Sequence, residues 1–172
     1  MKKTNVRVMA EIAICVALST VLGLFTIFKM PQGGSISLEM LPILLIAFRR
    51  GGVVGIITGL VYGLIDMFIG GYYGPWSLLL DYLLAFGFVG VAGFFKKNVP
   101  GIAIGSCVGI VLRFICSLLS GAWLFAEYAP AGQNPWLYSS IYNATYLIPE
   151  LIISIVVIVV IYLKAKKLFS VQ

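Results

Sequence analysis

Histidine is absent from this 172-residue chain, which removes the commonest proton shuttle and metal ligand in proteins. Charge is scarce as well. Six acidic and twelve basic residues make up 10% of the sequence, where a soluble domain carries roughly a quarter. That is too little polar surface to cover a water-soluble globule. The three cysteines, Cys15, Cys107 and Cys116, form no CxxC pair and sit in apolar stretches, so they read as small packing residues rather than disulfides or metal ligands. No GxxxxGK[ST] loop is present, which excludes ATP hydrolysis by the Walker-type route. HExxH and GxSxG are also missing, and no histidine stands ready to activate a serine or cysteine. The expectation is a protein that is not an enzyme and holds no metal or cofactor of its own. Inverted repeats, common in secondary transporters, are not evident at this length.

What the chain has instead is hydrophobic sequence, at 61%. Apolar runs near the roughly 20-residue bilayer-crossing length recur at residues 8–28, 53–69, 78–95, 101–120 and 137–163. A cytosolic enzyme, a nucleic-acid-binding domain and a secreted disulfide scaffold are excluded. The chain reads as an all-α integral membrane protein whose solvent is the lipid bilayer.

The net charge of +6 is a topology signal. Lys2, Lys3 and Arg7 precede the first run, Arg49 and Arg50 follow a short second one, Lys96 and Lys97 follow the fourth, and Lys164, Lys166 and Lys167 follow the last. These are ten of the twelve basic residues, at alternate ends of successive spans. The positive-inside rule therefore predicts six transmembrane helices in one domain over residues 1–172, with both termini cytoplasmic. Lys29 alone is left for the outer loops, and Arg113 lies within a span. A signal peptide is the competing reading of the start, but no small-residue cleavage site precedes Lys29.

Helix one is expected over residues 8–28, ending at the turn signal Met30-Pro31-Gln32-Gly33-Gly34. Helix two then has only residues 36–48, short for a crossing. The Pro-Gly-Gly segment must supply the remaining depth, which is tolerable only where protein or a water-filled cavity shields its backbone. Gly51, Gly55, Gly59 and Gly63, and likewise Gly101, Gly105 and Gly109, recur at four-residue spacing and predict close helix packing inside the bundle. Ala10, Ala13, Ala17 and Thr20 form another small stripe on helix one, open to a partner protein or to internal packing.

Charged groups inside a membrane are expensive and mark sites. Glu11 follows Arg7 by four residues, so a local helix pair accounts for it, and Glu127 falls in an outer loop. Glu39 at the start of helix two, Asp66 late in helix three and Asp81 early in helix four share the outer part of the bundle. Glu150 follows Pro149 at mid-helix, with Arg113 as its expected structural partner. Aromatics crowd the same outer zone, among them Tyr62, Tyr72, Tyr73, Trp76, Tyr82, Trp123, Phe125, Trp136, Tyr138, Tyr142 and Tyr146. Asn143, Tyr146 and Glu150 fall on one helix face. A belt of aromatics belongs at both interfaces, so this one-sided set fits a cavity wall better. Carboxylates and ring faces together suit a small cationic or aromatic solute taken from outside. A stand-alone ion- or proton-coupled transporter, with Asp66, Arg113 and Glu150 as its relay, is the alternative from a different class.

Several longer pieces carry a resemblance. Residues 30–37 (Met-Pro-Gln-Gly-Gly-Ser-Ile-Ser), then Pro42-Ile43, Phe48-Arg49-Arg50-Gly51, Leu80-Asp81-Tyr82, Ser120-Gly121-Ala122 with Phe125, Ala129-Pro130, Tyr138-Ser139 and Tyr142-Asn143-Ala144-Thr145-Tyr146 stand in order from about Arg7 to Lys167. This arrangement resembles the thiamine-specific substrate-binding component of energy-coupling-factor vitamin transporters. The resemblance implies a six-helix bundle in the bacterial plasma membrane that binds thiamine near its outer surface. It implies as partners a membrane coupling protein, docked on Ala13 and Ala17, and two ATP-binding cassette ATPases that use the ATP. The thiamine-binding positions it implies are Glu39, Tyr62, Asp81, Tyr82, Ser117, Gly121, Trp123, Phe125, Tyr138 and Asn143. Three of these depart from some relatives, which have His at Ser117 and Trp at Phe125 and Tyr62, while Asp81 replaces a Glu. A component of the same class for another vitamin, such as riboflavin, is the nearest alternative.

Overall fold

The computed structural model describes residues 3–170; Lys2, counted in the basic pattern, lies outside the described residues. The helices are α1 (Lys3–Leu24), α2 (Met40–Arg50), α3 (Gly52–Gly70), α4 (Pro75–Phe94), α5 (Val99–Trp123) and α6 (Pro135–Lys164). All but α2 are long and apolar enough to cross a membrane. Local sequence sets several starts. Pro75, Pro100 and Pro135 stand in first turns, where a missing N–H costs nothing. Asn98 Oδ1 accepts from Gly101 N–H at 2.8 Å, and Asn134 Oδ1 from Trp136 N–H at 2.9 Å, capping α5 and α6.

Between α1 and α2 the chain does something the hydrophobic run concealed. The helix expected to reach Phe28 stops at Leu24, and β1 (Phe28–Lys29) pairs antiparallel with β2 (Ser35–Ile36). Ile27 N–H donates to Ile36 O at 2.8 Å and Met30 N–H to Gly34 O at 2.9 Å. Gly33 and Gly34, at φ +90° and +85°, supply the left-handed turn that closes this hairpin. Its backbone thus satisfies itself beside α2, which at 11 residues or about 16 Å is too short to cross a bilayer alone.

Short as it is, α2 is the core. Met40, Ile43, Leu44, Ala47 and Phe48 have no exposed surface, and α1, α3, α4 and α6 all pack on it. The sequence explains this, because α2 is apolar on every side until Arg49-Arg50. Glycines bring the next helices close. A Cβ at Gly59 or Gly63 would collide with the backbone of Phe86 or Tyr82 on α4, and one at Gly109 would press on Val89. Gly51 is instead the φ +97° link between α2 and α3.

Opposite the hairpin, the ends meet. Glu11 of α1 lies 3.6 Å from Arg7, 3.1 Å from Arg49 and 2.7 Å from Arg50. The local Arg7 pair expected from spacing is the longest of the three. Arg49 Nη1 also donates to the carbonyls of Leu168 and Ser170 at 2.8 Å, and Lys97 Nζ to those of Arg49 and Phe169. Residues near both described ends and the basic turns therefore share one pole.

Candidate binding cavity

At the hairpin pole lies a cavity of about 560 Å³. Its wall is built from the hairpin and the adjoining ends of α1, α3, α4, α5 and α6. Tyr142 of α6 fixes the hairpin, accepting from Gln32 N–H and donating to Gly33 O, each at 2.9 Å. Three carboxylates, Glu39, Asp66 and Asp81, line the space, against two cations, Arg113 and the exposed Lys29.

Glu39 stands just before the first residue of α2 without hydrogen-bonding its first turn, and its carboxylate reaches into the bundle instead. Arg113 Nη2 donates to Glu39 Oε1 at 3.0 Å and Tyr62 Oη to Oε2 at 2.9 Å. The Arg113–Glu150 pair expected from depth is therefore replaced by Arg113–Glu39. Glu150, with no exposed surface, accepts instead from Ser37 Oγ at 3.3 Å. α2 begins inside the bundle, which brings Ser37 and Glu39 to the level of Glu150 and Arg113. Arg113 also lies over the Phe86 ring at 4.2 Å, and its Nε and Nη1 have no hydrogen-bond partner among the described residues.

Asp81 sits in a π-helical stretch, Leu78–Leu84, the kind of widened turn that recurs at functional sites. Ser77 and Ser120 both donate to its Oδ2, at 2.7 and 2.6 Å. Tyr82, next in sequence, donates to Gly71 O at 2.8 Å. On α6, Asn143 Nδ2 donates to Ser139 O and Ser117 O, and its Oδ1 accepts from Tyr146 at 2.7 Å. Gly121 lets α5 approach here, since a Cβ would strike Ser139 Oγ. Phe125 stacks on Tyr128 at 5.9 Å and meets Tyr73 edge-on at 6.0 Å, completing an aromatic rim.

Of the positions singled out from sequence, Glu39, Asp81, Tyr82, Ser117, Gly121, Phe125, Tyr138 and Asn143 line this cavity. Two do not. Tyr62 is buried behind Glu39, with 1% of its surface exposed, and edges onto Phe86 at 4.6 Å. Trp123 is 63% exposed and packs on Trp76, because a two-residue step from Phe125 turns it outward. Phe86 and Tyr128 line the cavity without having been singled out. Phe86 gave no sign in an apolar run, whereas Tyr128 stands one residue from Glu127 in the loop between α5 and α6.

Membrane-length helices around a cavity lined by carboxylates, amides and rings define a multi-pass membrane protein with a solute-sized polar site. The family model described as thiamine transporter protein (Thia_YuaJ) matches residues 9–170, and the chain belongs to this family of the bacterial plasma membrane. It is 37% identical to thiamine transporter ThiT of Bacillus subtilis (strain 168), over 93% of this chain and 92% of that protein. To thiamine transporter ThiT of Lacticaseibacillus paracasei it is 30% identical, over 76% and 74%. A solved structure of ThiT from Listeria monocytogenes superposes with a TM-score of 0.87 at 26% identity, covering 98% of this chain and all of that one.

Proposed function

We propose that this chain is the thiamine-binding subunit of an energy-coupling-factor importer. It captures thiamine from outside and delivers it inward with a membrane coupling protein and two ATP-binding cassette ATPases, itself catalysing no reaction. The cavity carries this reading: three carboxylates and a ring-lined wall suit a flat organic cation, in a chain whose family is the thiamine transporters. Basic residues gathered at the opposite pole support cytoplasmic termini and so an outward-facing cavity. On α1, Ala10, Ala13 and Ala17 are exposed while Cys15, Val16 and Ser19 face the bundle. The small stripe is therefore free to take the coupling protein, with Ala13 and Ala17 one turn apart at its centre.

Isothermal titration of the purified protein with thiamine tests the reading. Tight, one-to-one binding is expected, and no binding at micromolar concentration overturns it. Calorimetry suits this protein better than tryptophan fluorescence, because Trp76, Trp123 and Trp136 are each at least half exposed and none lines the cavity.

A further inference from the structure

The cavity carboxylates are unequally satisfied. Glu39 has both oxygens engaged, one by Arg113 at 3.0 Å and one by Tyr62 at 2.9 Å. Asp81 has one oxygen held by two serine hydroxyls. Asp66 has only Tyr62 Oη, at 3.5 Å from its Oδ1. A phenol carries one proton, and the shorter contact assigns that proton to Glu39. Asp66, half-buried one turn from the end of α3, is thus left with no committed donor and no ion pair among the described residues. The Arg113 guanidinium is tied to Glu39 and held over Phe86.

We propose that Asp66 is the specificity-determining residue that seats the fixed positive charge of the bound solute. The inference rests on the thiamine reading and deepens it. Two carboxylates meet on one tyrosine hydroxyl, and the nearest guanidinium is paired with Glu39, so Asp66 is left as the carboxylate of this corner without an ion pair among the described residues. A partly buried, unpaired carboxylate is costly, and a cation placed beside it recovers part of that cost. A ring nitrogen bearing carbon substituents and no N–H, such as that of a thiazolium, donates no hydrogen bond, so its positive charge is read by a nearby carboxylate and by ring faces. Asp81, with an oxygen oriented by two hydroxyls, is arranged for a hydrogen-bond donor. The two acids thus read different features of one ligand.

The test compares thiamine with its uncharged isostere, in which a neutral thiophene replaces the thiazolium, by calorimetry on wild type, Asp66→Asn and Asp66→Glu. Asp66→Asn is expected to weaken thiamine about tenfold or more and the isostere less than about twofold, with Asp66→Glu restoring most of the thiamine affinity. Equal losses for both ligands, or no loss for thiamine, overturn the assignment. Should Asp66→Asn fail to fold, Asp66→Ser repeats the comparison in a smaller polar form. Wild type that binds neither ligand overturns the thiamine reading itself, an outcome separate from wild type that binds both while the variants change nothing.

Discussion

One oxygen of Asp81 is fixed by two hydroxyls from different helices, Ser77 of α4 and Ser120 of α5, and the other is left for the cavity. Hydrogen bonds that involve a charged group are worth roughly 1.5–3 kcal/mol. Asp81→Asn keeps the shape and removes the charge, so thiamine affinity is expected to fall tenfold to hundredfold in calorimetry while the circular dichroism spectrum stays the same. Unchanged affinity would take Asp81 out of the site. The acid itself was legible, since a carboxylate in an apolar run announces a partner or a function. Its serine partners were not. Which hydroxyls reach it depends on the widened turn at Leu78–Leu84, which leaves no mark in composition.

Among the elements, α1 joins the two ends of the molecule. Near its start Glu11 binds Arg49 and Arg50. Near its finish Gly23 lines the cavity, where an added Cβ would press on Tyr62 Oη and Glu39 Oε2. Ala17 lies between these points and faces outward. Ala17→Trp is therefore expected to leave thiamine affinity of the isolated protein within about twofold, because it touches neither anchor. It should abolish uptake in cells and co-purification with the ATPase-bearing complex by preventing close helix contact. Normal uptake would end the docking role, and lost binding would place Ala17 in the bundle's own packing. Hydropathy located every long helix but overran the end of α1 by four residues, from Leu24 to Phe28. Apolar residues in a hairpin and in a helix look alike to hydropathy. The partner of Arg113 was hidden for a related reason: Glu39 lies 74 residues away, on an element whose depth only the assembled bundle sets.

At the scale of the whole molecule, charge is sorted along the bundle axis. One pole holds Arg7, Arg49, Arg50, Lys97 and the basic C-terminal turn, with Glu11 at its centre. The other holds the acid-rich cavity. Such a separation makes the protein an extended electric dipole whose negative end is the mouth. A cationic solute approaching that mouth is drawn in before any contact forms, and the pull acts on the encounter rather than on the bound state. Dissolved salt shortens the reach of the field to about 8 Å at physiological ionic strength. Stopped-flow measurements should then show the association rate for thiamine falling as salt is raised, with the dissociation rate nearly constant. The uncharged isostere should arrive at a rate indifferent to salt, so the sorted charge acts as a kinetic funnel that selects cations before the cavity has touched them.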